Sequence, residues 1–222
     1  MTVAEFLLHV NYALRGIDDD PPTFGTDEAT HWLYTLNRKK NELYNNSKVL
    51  WDETWQDKLV DTVTTDTSYD CDATLIAPSD KAYVLTTDDQ TIYFDIIRPK
   101  ERTNNRQVYI SGVTPKKITF TNTINATDKI VGGGLYLPGY YMPADLTDET
   151  DEIPIADPYW AVMSVASEIA FNDIVYEDKS EALNQKANSL YLQMLRNNRR
   201  GTYGQPKTNP HNHYRIRSTE VR

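Results

Sequence analysis

The sequence predicts an α+β fold, in which helices from both ends of the chain form a bundle that carries a central antiparallel β insertion. Apolar residues recur every three or four positions near both ends, whereas short β-branched and aromatic runs fill the middle. With 222 residues and 39% apolar content, the chain can bury a core. We predict a bundle from residues 1–59 and 145–200, a β insertion at 60–144 and an extended basic C-terminal arm at 201–222.

The first predicted helix begins with a capping box, because Thr2 and Glu5 have the required spacing. One face is apolar, and Gly16 is a typical C-terminal stop. Residues 18–22, three aspartates and two prolines, then interrupt the helix, since Pro-Pro does not continue it. The apolar positions are Val3, Phe6, Leu7, Val10 and Leu14.

A second helix is predicted from Thr26 or Asp27 to about Ser47. Its inward face contains alanine, tryptophan, leucine and tyrosine at helical spacing, and we expect the basic run 38–40 (Arg38, Lys39 and Lys40) to face water. The predicted inward residues are Ala29, Trp32, Leu33, Leu36, Leu43 and Tyr44.

The middle of the chain changes to short runs typical of strands, separated by Asp, Asn, Gly and Pro. Residues 88–90 and 103–105 are predicted hairpin connections, and the glycine-rich residues 132–134 and the Pro-Gly pair 138–139 indicate irregular chain. The closely spaced strands favour an antiparallel sheet or small barrel. They are predicted at 73–76, 82–85, 92–97, 107–110 and 117–121.

Two helices are predicted after the acidic segment. Asp157 is an N-cap candidate with proline at the first helical position, and residues 159–171 are apolar on most sides, which predicts a buried central helix. Asp178 or Ser180 is expected to cap the last helix, which should end at Gly201. Its predicted inward residues are Leu183, Ala187, Leu190 and Met194, and its predicted exposed residues are Asn184, Gln185, Lys186 and Gln193.

Charge is sorted along the chain, whose net charge is −9. From Arg199 onward there are six basic residues and one acidic residue, whereas residues 145–157 contain six acidic residues and no basic residue. A basic tail on an acidic body indicates docking to an acidic partner or to nucleic acid, although a solvated terminus has the same composition.

The common catalytic motifs are absent: the sequence has no GxxxxGK[ST], GxSxG, HExxH or CxxC pattern. Glu168 is either a buried catalytic acid with a raised pKa or a structural residue that pairs with a Lys or Arg or faces the edge of the bundle, and we favour the structural role. Cys71 is alone and is expected to be a small buried hydrophobe. His211 and His213 lack further ligands, and the aspartates of 18–20 lack an EF-type spacing. We therefore expect no enzyme activity, no cofactor and no metal site.

Four stretches resemble the head-to-tail connectors, or neck adaptors, of tailed bacteriophages. The likeness covers most of the chain in the order of helices, β insertion and basic arm. The stretches are AEFLLHVNYALRGIDDDPPTFGTDEATHWLYTLNRKKNELY, IAPSDKAYV, LPGYYMPADLTDETDEIPIADPYWAVMSVASEIAFND and RRGTYGQP.

The resemblance implies a structural virion protein, made in the host cytoplasm, that forms a ring (usually a dodecamer) between the portal and downstream tail or neck proteins. It implies a C-terminal arm that binds the portal, for which the candidates are Arg199, Arg200, Lys207, Tyr214, Arg215 and Arg217. Packaged DNA would pass through an acidic channel. The channel-lining candidates are Asp18, Asp19, Asp20, Asp145, Asp148, Glu149, Asp151 and Glu152.

Two further expectations concern contacts. Trp51, Trp55, Tyr140 and Tyr141 are candidate aromatic anchors between subunits, and for each one a place in the monomer's own core is the favoured alternative. The alternative function is a nucleic-acid-binding module that uses the basic tail. No run approaches the roughly 18 apolar residues of a membrane span, so no membrane partner is expected.

Overall fold

The computed structural model describes residues 1–45, 49–98, 106–113 and 115–204, with side chains up to residue 198. It divides into two compact units. The helical unit comprises residues 1–53 and 143–204, and the β unit comprises residues 54–142. The predicted α+β class is confirmed. The β unit begins before the predicted residue 60, because its first strand already starts at Trp55.

The helical unit contains four helices, whose apolar faces build its core. Each of its two sequence segments contributes two helices, and the residues of the β unit lie between the two segments in the chain. A short 3-10 helix, Asp52–Thr54, lies where the chain first passes between the units. The helices are α1 (Val3–Leu14), α2 (Asp27–Tyr44), α3 (Pro158–Asn172) and α4 (Glu177–Gly204).

The predicted caps of α1 and α2 are present. The Thr2 hydroxyl accepts from the Glu5 N–H while the Glu5 carboxylate accepts from the Thr2 N–H, which completes the capping box. Thr26 caps α2 through the Ala29 N–H. Five apolar α1 positions, namely Val3, Phe6, Leu7, Val10 and Leu14, are all buried as predicted.

Helix α3 is the central helix of this unit, as its apolar composition predicted. It packs against α1, α2 and α4. Asp157 caps it by accepting from the Tyr159 N–H, and Pro158 occupies the first turn. Burial of seven residues follows from contact on three sides. They are Trp160, Ala161, Val162, Val165, Ala166, Ser167 and Ala170.

Helix α4 packs through one face only. Ala187 and Met194 are buried and Leu183 and Leu190 are half-buried, whereas the predicted polar face is exposed. The helix extends to Gly204 and not to Gly201, so residues 201–204 of the predicted extended arm are helical. Residues 205–222 of that arm lie outside the described part of the chain.

The β unit is a mostly antiparallel, nearly closed eight-stranded sheet. Its strand order is β1-β8-β4-β5-β6-β7-β2, with β3 paired to β8, and the edge strands β1 and β2 approach each other. The strands are β1 (Trp55–Thr62), β2 (Ser68–Asp70), β3 (Leu75–Pro78), β4 (Lys81–Leu85), β5 (Thr91–Ile97), β6 (Gln107–Ser111), β7 (Lys117–Phe120) and β8 (Gly134–Tyr141).

Two predictions about this sheet are wrong. Residues 103–105 lie outside the described part of the chain, but the strands on either side of them, β5 and β6, pair in parallel, with Asp95 opposite Gln107, and so do not form the predicted hairpin. Gly134 and the Pro138–Gly139 pair are not in irregular chain, because they belong to β8, the strand that pairs with β1, β3 and β4, whereas Gly132 and Gly133 lie in the turn before it. By contrast, the predicted turn at 88–90 does join an antiparallel pair, β4 and β5.

Gly133 and Pro138, which led to the wrong prediction for β8, each fit their position for a local structural reason. An added Cβ at Gly133 would lie 2.6 Å from the Leu85 carbonyl oxygen, so only glycine fits where the chain enters the strand. Pro138 lies where β8 changes partner: Tyr136 is the last residue paired with β4, and Gly139 pairs with β3. The missing N–H of proline therefore falls between two ladders.

The interior of the sheet holds the core of the β unit. Cys71 is buried there as predicted, and burial raises the pKa of its thiol to about 11, which makes it a poor nucleophile. Large side chains from most strands surround it, including Leu75, Val84, Phe94, Val108, Ile118, Phe120, Leu135, Leu137 and Tyr141.

Candidate functional site

The predicted channel-lining segment, residues 145–152, lies against the N-terminus of α1. The Val3 and Ala4 N–H groups donate to the carbonyl oxygens of Asp151 and Glu149, each at 3.0 Å. The Ile153 N–H donates to the Met1 carbonyl at 3.0 Å. A helix N-terminus leaves its first N–H groups without helical partners, and this segment supplies acceptors beyond those of the capping box. The backbone of the acidic segment is thus fixed on the helix.

The carboxylates of this segment are on the surface but serve different contacts. Asp151 accepts from the N–H groups of Thr147 and Asp148, and Asp148 accepts from Thr150, which lowers the pKa of the Asp148 carboxyl. Glu149 and Glu152 are exposed and attach to the helix through their backbones. These two glutamates therefore carry exposed negative charge on a backbone that is hydrogen-bonded to the N-terminal end of α1.

Asp145 has a structural partner in the buried Lys40. The ammonium group donates to Asp145 Oδ1 at 3.0 Å and to the Pro143 and Ala144 carbonyls. Burial lowers the pKa of Lys40, and the hydrogen bond from Lys40 lowers the pKa of Asp145. The prediction of a wet basic face at 38–40 is therefore wrong. Lys40 follows Leu36 by four positions, so it lies on the inward stripe of α2, where its charge requires these acceptors.

Glu168 pairs with the other two residues of the basic run. Its carboxylate binds Arg38 and also Lys39, whose Nζ is 2.9 Å away. Burial alone would raise the pKa of Glu168, but the hydrogen bonds from Lys39 and Arg38 outweigh it, and the pKa falls below its usual value. The structure thus places Glu168 in the ion pair that the sequence left as an alternative to a buried acid.

The second group of channel-lining candidates, Asp18, Asp19 and Asp20, lies beyond the opposite end of α1. All three side chains are exposed, and Asn11 Nδ2 donates to the Asp19 carbonyl at 2.6 Å. A 12-residue helix is about 18 Å long. The structure therefore does not bring the two acidic groups together in one cluster.

The acidic character belongs mainly to the helical unit. Residues 1–53 and 143–204 contain twenty acidic and ten basic residues, whereas residues 54–142 contain eleven and nine.

The predicted arm residues lie at the end of α4 and beyond it. Arg199 and Arg200 are in the last part of α4, and their side chains are outside the described set. Lys207, Tyr214, Arg215 and Arg217 lie in residues 205–222, which are outside the described part of the chain.

An exposed apolar patch at one end of the helical unit was not predicted. Arg15 Nε donates to the Tyr176 hydroxyl at 3.2 Å and Lys179 Nζ donates to the Leu14 carbonyl at 2.6 Å, so the C-terminus of α1 adjoins the α3–α4 turn. Four side chains at this end are mostly in solvent: Ile17 (77% exposed), Phe171 (74%), Ile174 (89%) and Val175 (69%).

Acidic residues flank the patch residues along the chain. They are Asp18, Asp19, Asp20, Asp173, Glu177 and Asp178. We call the four apolar residues and these six acids the apolar–acidic end. Arg15 also pairs with Glu28, so both bases nearby, Arg15 and Lys179, already have partners. Clustered exposed apolar residues with a polar rim are typical of protein-binding surfaces. The sequence signal was an apolar run that continues past the end of α3.

A second unpredicted feature is an aromatic row on the outer face of the β unit. Leu59, Tyr136, Tyr83 and Tyr93 are opposite one another on four neighbouring strands. The rings of Tyr83 and Tyr136 stack at 5.1 Å, and the Tyr83 hydroxyl donates to Asp57 Oδ2 at 2.7 Å. Burial and this contact raise the pKa of Tyr83. Leu59 and Tyr93 remain more than half exposed.

Three of the four predicted intersubunit anchors are buried, and the fourth, Trp55, is half-buried. Trp51, Tyr140 and Tyr141 are buried within their own units, and Trp55 packs edge-to-face on Tyr140 at 5.1 Å. The favoured alternative, a place in the monomer's core, is confirmed for the three buried residues. Alternation along β8 explains it for Tyr141, which lies on the inward side of that strand with Leu135.

The described residues contain no group of three or more side chains that could hold a metal ion. Among the described helices, none combines the length and hydropathy that a bilayer span requires. In comparisons with protein-family models and with curated proteins, nothing matches this chain.

Proposed function

We propose that this chain is a ring-forming neck adaptor of a tailed bacteriophage, which joins the portal to the tail and surrounds the DNA channel. The observation that carries the proposal is the ordered acidic segment 145–152 on a helical unit with twice as many acidic as basic residues. The α+β class and the resemblance to neck adaptors agree with it. The chain has a binding and structural role, with no substrate.

The acidic segment suits a channel wall for a physical reason. Carboxylates repel DNA phosphates over a Debye length of about 8–10 Å at physiological salt, so DNA slides past such a wall and does not bind to it. Glu149 and Glu152 are the preferred wall residues because their backbones are held on α1. Asp145 contributes less, since Lys40 neutralises it.

The basic C-terminal segment is the proposed portal-binding arm. Its partners in this proposal are the portal, downstream tail or neck proteins and further copies of the chain in a ring, which the resemblance suggests is a dodecamer. A segment with few apolar residues gains order when a partner supplies the missing buried surface. The protein would then be found in the virion neck.

Electron microscopy of the purified full-length protein and of intact necks tests the proposal. The purified protein should form rings with a central hole. In intact necks, the same rings should lie between the portal and the tail. Deletion of residues 202–222 should leave a folded protein that no longer joins portal-bearing capsids. Normal attachment by the truncated protein would refute the portal-binding arm. Retention of DNA by the full-length protein at low salt, without rings, would favour a nucleic-acid-binding module instead.

A further inference from the structure

The apolar–acidic end exposes more apolar surface than a solvated helix end requires. Three of its four apolar side chains, Phe171, Ile174 and Val175, lie within five consecutive positions at the α3–α4 turn. Each is at least 69% exposed. Burial of apolar surface is favourable in water, so a partner that covers this patch would bind more tightly. The six carboxylates that flank the patch residues in sequence restrict the partner, because an acidic segment would be repelled.

The C-terminal segment of the chain has the complementary composition. Residues 205–222 contain four basic residues and one acidic residue, and Tyr214 and Ile216 alternate with Arg215 and Arg217. Such a segment can place apolar side chains on the patch. Its arginines, which have long side chains and several donors, can then pair with carboxylates at the rim.

Chain length decides between the chain's own tail and that of another copy. The patch lies at the N-terminal end of α4, whereas the tail starts at the C-terminal end of that helix. A helix of 28 residues is about 40 Å long. The ten residues from Gly204 to Tyr214 span at most about 36 Å when fully extended. Tyr214 therefore does not reach the patch of its own helical unit, and Ile216 reaches it only if all twelve residues from Gly204 are fully extended, about 43 Å. The tail of a second copy is free of this restraint.

We infer that the apolar–acidic end of one copy binds the Tyr214–Arg217 region of a second copy. The contact joins two different surfaces, so every bound pair still has one unused patch and one unused tail. Repetition of such a contact produces rings if the rotation closes and filaments if it does not. The inference goes beyond the proposed function, since it needs no portal. In a neck, the portal and the neighbouring copy would compete for the tail.

Two full-length variants test this contact. The patch variant is Ile174→Ser with Val175→Ser, and the tail variant is Tyr214→Ser with Arg215→Gln and Arg217→Gln. The matched control is Val113→Ser, which removes an 88% exposed apolar side chain from the β unit. Far-UV circular dichroism checks the fold of each protein, and sedimentation velocity at low ionic strength measures assembly.

The wild type and the control should assemble, and each variant alone should sediment as a monomer. An equimolar mixture of the two variants should form dimers and no larger species, because only one functional patch and one functional tail remain per pair. If the patch variant does not fold, the tail variant alone still tests the contact. Higher salt should shift the wild type towards monomer, because screening weakens the rim pairs.

Three results would overturn the inference: a monomeric wild type, normal assembly of the tail variant, or no dimer in the mixture of folded variants. Normal assembly of the tail variant would mean that the patch binds another patch or is not used. The outcome is separate from that of the proposed function. Tail-dependent assembly without portal attachment would support this contact and reject the neck adaptor.

Discussion

Lys40 is the residue whose charge most constrains the helical unit. Its side chain is completely buried and donates to two carbonyls and one carboxylate in the chain that returns from the β unit. The position was hidden in the sequence because Lys40 is part of a basic run, and such runs are usually solvated. Its spacing from Leu36 and Leu43 was the contrary signal, since it continues the apolar stripe.

Replacement of Lys40 by methionine should therefore destabilise the protein by about 1–3 kcal/mol, the usual cost of leaving buried polar groups without partners. The Pro143 and Ala144 carbonyls would lose their donor. Urea unfolding measures the change, and Lys186→Met, on the exposed face of α4, is the matched control. Equal midpoints for the two variants would contradict the role given to Lys40.

Asp72 makes the stability of the β unit depend on pH. Hydrogen bonds from Lys58 and Thr74 lower its pKa from 3.8 to about 2. A carboxyl whose pKa is lower in the folded protein stabilises the fold above its unfolded pKa and loses that contribution as pH falls through the folded value. The stabilisation from Asp72 should therefore be complete at neutral pH and disappear between about pH 4 and pH 2.

The comparison of wild type with Asp72→Asn isolates this charge, because asparagine retains an oxygen for the Thr74 N–H. The wild type should be more stable at pH 7, and the difference in unfolding free energy should shrink towards zero at pH 2. In a Lys58→Met background the same substitution should have a smaller effect. A difference that is independent of pH would show that the ion pair contributes nothing.

At the scale of elements, the sequence predicted the helices better than the sheet. Caps and apolar spacing are local, so α1, α2 and α3 begin where Thr2, Thr26 and Asp157 indicated. Strand β8 was missed because its glycines and proline are turn-formers, although Leu135 and Leu137 alternate as strand residues do. Parallel pairing of β5 with β6 is a nonlocal property that no short pattern carries.

Gly133 provides a test of the reason given for β8. In Gly133→Ala the new Cβ would meet the Leu85 carbonyl oxygen at 2.6 Å, and backbone cannot move aside as a side chain can. The substitution should cost about 1–3 kcal/mol, as overpacking usually does. Gly134→Ala is the control, because its nearest neighbours, at 3.0 and 3.1 Å, are the side chains of Tyr136 and Leu59. Thermal unfolding should rank Gly133→Ala as the less stable variant.

At the scale of the whole molecule, charge is distributed unequally among its parts. The helical unit carries the acidic excess, the β unit is nearly balanced and residues 205–222 are basic. The sequence composition predicted this unequal distribution of charge, but only the structure shows that the acidic residues of the helical unit form two groups with different contacts. It divides them between the ordered segment 145–152 and the apolar–acidic end, at opposite ends of α1. We accordingly assign the first group to the proposed channel and the second to contact between copies.

This assignment predicts an effect of position as well as of charge. Glu149→Lys with Glu152→Lys should make the assembled protein retain duplex DNA at low salt, because lysines on the channel wall would bind the phosphates that glutamates repel. Asp61→Lys with Asp88→Lys, at two exposed positions of the β unit, changes the net charge equally without altering the apolar–acidic end, and should retain much less DNA. Electrophoretic mobility shifts across a salt series measure both. Equal retention would mean that total charge alone governs DNA binding, and segment 145–152 would then have no special place in the channel.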